Sequence, residues 1–420
     1  MPGIFMGAGL LSRRPLLLLA LVAAGVAFGG AEAARAETAS PSDPTAVERL
    51  PLAFYLAKGE ANSCGEGCNE WIAAEGYFTP GSAQRMRTFL KRHSGRSLPI
   101  FFQSPGGIQA EALTIGRLMR ERAMTAGVAK TIPQDCVPAG EKDKACRASK
   151  QSGRTLMAEL RSVGAACNSA CVYALIGAKV RLVPPGGRLG VHSGKFVRIY
   201  SDGRVVDGPA GAAKAALAGL NAGLRRYVND MGVAEGFLDV ISRVPYEKVH
   251  YLSRNEIADF HIDARVFLET PWTVAETSSP AVLKFVVAAA ESNQSEFRTD
   301  VVRLACRTAT HLTVAYLRGV AGEASASPTS ISLMAVGRNF AFSRPGRVAK
   351  MDAIDTGGWF EPRVAVVPVE FFEAAAAVSS IEITESAAAG STTSSRVLTL
   401  STVGLSQAVG TLRQRCESAI

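Results

Sequence analysis

Between residues 52 and 262 the chain alternates short apolar runs with amphipathic stretches. Residues 52–57 and 70–77 read as strands, and 98–103 as a strand buried on both faces. Met86, Phe89 and Leu90 recur at helical spacing, and Thr79 stands where it could cap a helix running through Arg92. A second amphipathic helix carries Ala112, Ile115, Leu118 and Met119 on one face. Residues 128–132 read as a further strand, and 179–183 and 188–192 as two more around a Pro-Pro-Gly-Gly turn. Residues 212–231 have the composition of a long helix whose Arg225 and Arg226 face solvent, and 251–262 suit a closing strand and helix. Strands alternating with helices predict an α/β domain over 51–270. A polar, basic stretch near 133–155 interrupts it as an insertion.

The period changes near residue 275. From 301 onward apolar residues alternate in short runs, at 311–317, 330–336, 363–369, 380–384 and 396–400, separated by Ser, Thr and Gly. That is the period of strands, and it predicts a smaller, mostly-β domain over 276–420, a sandwich or barrel. His311 alternates with apolar neighbours there and reads as structural.

At the other end, residues 1–36 read as an export signal. Arg13 and Arg14 precede an uncharged apolar run over 15–30, and small-residue cleavage sites follow Ala33 and Ala36. The stretch Ser12-Arg13-Arg14-Pro15-Leu16-Leu17 resembles a twin-arginine signal. The apolar run is shorter than the ~20 residues of a spanning helix, so an uncleaved signal is the one membrane contact expected. Residues 37–50 are a polar lead-in, and the mature protein is expected to be periplasmic or secreted.

Composition narrows the class. Of 420 residues, 47% are apolar and 20% charged, which excludes a largely disordered chain. The formal charge of +9 is spread without a run of five or six basic residues, which argues against a nucleic-acid partner. Export places the eight cysteines in an oxidising compartment, where an even number is consistent with four bridges. Many pairings are open, and grouping along the chain suggests one set. Cys64 and Cys68 flank Gly-Glu-Gly, Cys136 and Cys146 share the insertion, and Cys167 and Cys171 are four apart. Cys306 and Cys416 stand alone and could tie the first strand of the β domain to its last helix. With no CxxC pair and five histidines, neither a metal nor a cofactor is expected.

Three segments carry candidate chemistry. Ser104-Pro105-Gly106-Gly107 lies between a strand and a helix. Its glycines let backbone N–H groups approach a ligand, and a helix start favours negative charge, which suits an oxyanion hole. Cys167-Asn168-Ser169-Ala170-Cys171 puts Ser169 at a helix start, either as a nucleophile or as a simple N-cap. The Ala170 N–H would be a second oxyanion donor. Gly190-Val191-His192-Ser193 ends an apolar strand with a histidine, a general base or a satisfied core residue.

In order and spacing these segments resemble the ClpP/crotonase superfamily, and more closely its exported ClpP-like proteins, over about residues 50–265. Glu70-Trp71-Ile72 with Glu75-Gly76, Leu98-Pro99-Ile100, Arg181, and Tyr251-Leu252-Ser253 with Glu256 complete the set. The resemblance implies a ClpP/crotonase-like fold with Ser169 as nucleophile and His192 as base. It implies an oxyanion hole from Gly106 or Gly107 with Ala170. An exported, peptidase-like serine hydrolase acting on a peptide or protein would follow, as a possible homo-oligomer through the helix at 212–231. One departure stands out: the acid expected by the resemblance falls on Val249, with Glu247 and Asp230 as the substitutes at hand. The second reading is therefore a catalytically degenerate fold serving as a binding or assembly module. Acyl-CoA chemistry of the crotonase kind is not expected outside the cytoplasm.

Overall fold

A computed structural model describes residues 50–136, 143–194, 197–199, 205–207, 222–275, 280–290, 293–323, 325, 327–351, 358–387 and 395–418. The expected signal, and all but the last residue of the lead-in, lie outside them. The first sheet grows from β1 (Ala53–Lys58) and β2 (Glu70–Glu75), paired antiparallel with Ala53 opposite Glu75. After α1 (Ser82–Arg92) come β3 (Ile100–Gln103), α2 (Gln109–Glu121), β4 (Thr125–Val128) and β5 (Lys130–Pro133). Then follow α3 (Lys144–Gln151), β6 (Leu156–Arg161), β7 (Ala166–Asn168), α4 (Ala170–Gly177), β8 (Val180–Leu182) and β9 (Arg188–Val191). The sheet order is β5-β6-β1-β2-β3-β4-β8, parallel from β2 through β8. Helices α1, α2 and α4 cover one face, with Ile72, Phe102, Ile115, Met119, Val172 and Leu175 in one core. The other face buries Tyr55, Trp71, Phe101 and Leu156.

Two sequence expectations fail here for physical reasons. The strand expected over 128–132 is two strands. β4 runs parallel to β3, whereas β5 lies at the far edge antiparallel to β6, and Ala129 between them donates its N–H to Phe102 O. Thr79 does not cap α1. The helix begins at Ser82, and its free N–H groups at Gly81 and Ala83 donate to the carboxylate of Glu111 on α2, at 2.8 and 2.7 Å. A negative group at a helix N-terminus is favourable wherever it comes from, and this one comes from another helix. The insertion near 133–155 holds α3 and is tied by Cys136–Cys146.

A hairpin of β10 (Val197–Ile199) and β11 (Val205–Asp207) leads toward α5, described over 222–230. The earlier part of the long helix expected over 212–231 lies outside the described residues. Exposed Arg225 pairs with Glu235 at 3.4 Å, as a solvated residue should. α6 (Gly236–Arg243), β12 (His250–Tyr251) and α7 (Arg254–Asp259) close this half. Ser253 and Glu256 form a capping box on α7, so the Tyr-Leu-Ser-x-x-Glu element here has a structural role.

The second half is β-rich. Its larger sheet joins β13 (Phe267–Glu269), β14 (Thr273–Val274), β15 (Ala281–Ala290), β16 (Asn293–Cys306) and β17 (His311–Val320). The other elements are β18 (Ser330–Ala335), β19 (Arg338–Ala341), β20 (Ala349–Met351), β21 (Gly358–Pro368), α8 (Val369–Ala375), β22 (Ser380–Ser386), β23 (Arg396–Ser401) and α9 (Leu405–Ser418). β21 and β20 complete the larger sheet, and β19-β18-β22-β23 form the smaller one. Val302, Val314, Leu333, Ile383 and Leu400 lie in their common core with α8 and α9. This sheet takes its first strand at Phe267, before residue 276, because β13 pairs with β15. Cys306 ends β16 rather than the first strand of the sheet, and bridges to Cys416 on α9.

The β half also buries charge. Asp300, Glu361 and Glu385 are almost wholly enclosed. Glu385 accepts from Arg298, Tyr316 and Arg318, Glu361 from Arg318, Arg363 and Ser327, and Asp300 from Arg298, Arg396 and the Gly319 N–H. Burial demands such partners. Burial still pushes the Asp300 carboxyl up to about 6, even with Arg298 beside it.

Candidate active site

The site forms where β3 leaves the main sheet. Ser104 is buried; its N–H donates to Ala166 O at 2.8 Å, and its carbonyl accepts from Asn168 N at 2.9 Å. These two bonds sew the end of β3 to β7. The Ser104 hydroxyl donates to Gly76 O at 2.6 Å and accepts from Gly106 N at 3.1 Å. Phe78 holds the turn from the other side: its N–H donates to Gly106 O, and its carbonyl accepts from Ile108 N.

Glycine is required at both turn positions. Gly106 has φ 108° and Gly107 φ 135°, which L side chains rarely adopt. A Cβ on Gly106 would lie 2.7 Å from the Cβ of Ser169 and 2.8 Å from Asn168 O. A Cβ on Gly107 would overlap Phe78 O. The sequence left open which glycine offers its N–H. The Gly106 N–H is engaged by Ser104, whereas among the described residues the N–H groups of Gly107 and Ala170 have no acceptor. Of the two, Gly107 has the unengaged N–H, and Gly106 supplies the close approach to Ser169.

Ser169 sits between β7 and α4 with φ 52° and ψ −120°. Such a conformation costs about 1–3 kcal/mol in a non-glycine residue and persists only where its surroundings impose it. Here the Ser169 N–H donates to Gly190 O at 2.7 Å, Gly106 leaves no room for a Cβ of its own beside that of Ser169, and Cys167–Cys171 bridges the residues on either side. Its side chain makes no capping bond to α4. All eight residues of α4 are buried, as befits a helix apolar on every face. α4 packs so closely on α2 that a Cβ on Gly177 would overlap Gly116 Cα. The helix behind Ser169 is therefore braced against the helix that follows the glycine turn.

His192 follows β9, which runs parallel to β7 with Asn168 opposite Gly190. That register brings His192 to the same end of a three-stranded sheet, β12-β9-β7, as Ser169. Its ring packs edge-on against Tyr246, with centroids 5.0 Å apart. Nδ1 lies 2.8 Å from Ser193 O. A carbonyl oxygen only accepts, so Nδ1 carries the hydrogen and Nε2 of the neutral ring keeps its lone pair. No direct hydrogen bond joins Ser169 Oγ to His192 among the described residues.

β12 runs antiparallel to β9 with His250 opposite Val191. Extending that register by one residue sets Val249 opposite His192. Neither Glu247 nor Asp230 makes a hydrogen bond or ion pair with His192. Arg181 lies elsewhere, donating to the carbonyls of Met231 and His261. Burial, with the nearby charge of Arg120, lowers its pKa to about 10.

All four pairs suggested by the grouping of the cysteines are bridged: Cys64–Cys68, Cys136–Cys146, Cys167–Cys171 and Cys306–Cys416. Among the described residues no cluster of His, Cys, Asp or Glu could hold a metal ion, and no helix is long and apolar enough to cross a membrane. Sequence reasoning missed two features of the site: the orienting carbonyl of Ser193 and the orphan side chain of Asn168. A backbone acceptor leaves no trace in residue types, and Asn168 read as one more small residue beside Ser169.

Val249 is 47% exposed, so a carboxylate placed there would remain hydrated. Under the Ser169–His192 mechanism proposed below, Val249→Asp is expected to raise kcat/KM by about tenfold or more, below the roughly 10⁴ that an orienting carboxylate is worth in a full triad. The gain is smaller because Ser193 O already holds the useful tautomer. Steady-state kinetics of the two proteins on one substrate check this.

No protein-family model and no curated protein matches the chain. Solved structures do. It is similar to a variant of the 1510-N membrane-bound stomatin-specific protease, at 13% identity over 46% of this chain and 75% of that one, with a TM-score of 0.27. Another variant of that protease, in complex with a substrate peptide, matches at 12% identity over 46% and 71%, with a TM-score of 0.27. A ClpP1 variant from Listeria monocytogenes matches at 14% identity over 51% and 88%, with a TM-score of 0.28. Likeness at these scores carries no weight for the chemistry, which rests on the residues themselves.

Proposed function

We propose that the chain is a serine hydrolase of acyl substrates, peptidase-like, working in an oxidising compartment. The observation that carries the reading is Ser169: a strained residue at a strand-to-helix turn, its hydroxyl unused by the helix it precedes. Strain of this kind clusters at functional sites, and a serine on such a turn presents its Oγ for attack.

His192 Nε2 takes the proton of Ser169 Oγ as that oxygen attacks the acyl carbon. The Gly107 and Ala170 N–H groups receive the negative oxygen that forms. His192 returns the proton to the leaving group, and a water activated by the same nitrogen hydrolyses the acyl-enzyme. The imidazolium formed in between is steadied by Ser193 O rather than by a carboxylate. Reaction is slower for that, yet the tautomer is correct throughout. Four disulfides support the oxidising compartment, and with it the export read from residues 1–36.

One observation favours the second reading, a degenerate fold used for binding: the β9–β12 register, extended by one residue, sets Val249 opposite His192, and among the described residues no carboxylate hydrogen-bonds the ring. An acyl burst separates the two. Mixing the protein with p-nitrophenyl acetate at pH 8 is expected to release a rapid pulse of about one p-nitrophenolate per chain before the steady state. A linear trace no faster than His192→Gln would leave the binding module as the better reading.

A further inference from the structure

We infer that Asn168 is a positioning residue for His192, its side-chain oxygen standing in for the carboxylate that the site lacks; this rests on the reading of Ser169 and His192 as a dyad. Asn168 is opposite Gly190 in the parallel β7–β9 pair, and paired residues share a face of the sheet. His192, two residues beyond Gly190, projects to that same face, as does Val249 opposite it. Three of these four positions carry a side chain, and the fourth is glycine. A Cβ on Gly190 would overlap Asn168 Oδ1 and would lie 2.8 Å from Val249 Cγ1. The missing Cβ is what lets the Asn168 amide extend across β9 toward Val249.

Asn168 Oδ1 is buried and accepts no hydrogen bond. Buried acceptors are almost always paired, and one left unpaired beside a reactive centre calls for a partner. The imidazole has an N–H to give: Nδ1–H now donates to Ser193 O. Once His192 takes the proton of Ser169, its N–H groups become charged donors whose hydrogen bonds are about twice as strong. The orphan amide oxygen then shares the Nδ1–H with Ser193 O, and Nε2–H stays free for the leaving group. Of the ionisable groups nearby, Tyr246 packs edge-on against the ring, while Glu247 and Lys248 are exposed on the turn leading into β12.

The test reads His192 directly and needs no turnover. The full chain is labelled with [15N]histidine, the His192 signal is assigned with His192→Gln, and its titration is followed in the unsubstituted protein and in Asn168→Asp. A carboxylate in the place of the Asn168 amide is expected to raise the His192 pKa by about 1 unit or more. An unmoved pKa in a folded Asn168→Asp overturns the assignment. Asn168→Ala is the second variant: loss of the acceptor is expected to lower kcat about tenfold with KM unchanged. Should Asn168→Asp not fold, an unchanged kcat in Asn168→Ala overturns the assignment instead. Absence of turnover in the unsubstituted protein would sink the dyad reading while leaving the titration result standing.

Discussion

Ser169→Ala is expected to lower kcat/KM by at least about 10³-fold and to leave the melting temperature where it was. The loss follows from removing the nucleophile, with residual rate left only to binding and the two N–H donors. The unchanged stability follows from the geometry. Ser169 makes no side-chain bond to α4, so no cap is lost, and the alanine keeps the same Cβ in the contact with Gly106. A serine acting as an ordinary N-cap would behave in the opposite way, costing about 1 kcal/mol on truncation and leaving any activity intact. Calorimetry beside kinetics therefore decides between the two roles with one variant. A fall in melting temperature with unchanged rate would contradict the assignment.

The largest stability effect is expected at the other end of the chain. Cys306–Cys416 closes a segment of 110 residues, whereas Cys64–Cys68 and Cys167–Cys171 each span four. Loop-closure entropy makes the long bridge worth about 4.7 kcal/mol and each short one about 2 kcal/mol. Cys306→Ser with Cys416→Ser is thus expected to lower the melting temperature by roughly 5–10 °C, with α9 losing its tether to β16. Both cysteines belong to the core of the β half. Covalent labelling of Ser169 at low temperature should survive the double substitution. Scanning calorimetry checks the first expectation and labelling at 4 °C the second. A shift no larger than that for Cys64→Ser with Cys68→Ser would contradict the loop-length account.

Local chemistry in the sequence marked the candidate site. A glycine turn after an apolar strand, a serine among small residues and a histidine ending a strand are each features of a few adjacent residues, and the register of β7 and β9 sets the last two at the same end of their sheet. What the sequence hid is non-local. Glu111 caps a helix begun some thirty residues earlier. β15 is a nearly continuous apolar run without the alternation that marked later strands, and its Lys284 is wholly buried against Glu269 and the Trp272 ring. The arginines and carboxylates from Arg298 to Arg396 carry no mark in the sequence that sets them apart from surface charges. They instead meet each other inside the β half, because partners from β16, β17, β21, β22 and β23 arrive from distant parts of the chain. His311, read as structural, is half-buried with its ring nitrogen 3.0 Å from Thr310 Oγ1.

The central claim is that Ser169 is an activated nucleophile. It is tested most directly by treating the folded protein with a fluorophosphonate probe beside Ser169→Ala and reading adducts by intact mass and peptide mapping. One adduct per chain, on the peptide containing Ser169 and absent from the variant, is the predicted result. A folded protein that stays unmodified, or an adduct that persists in Ser169→Ala, would contradict it.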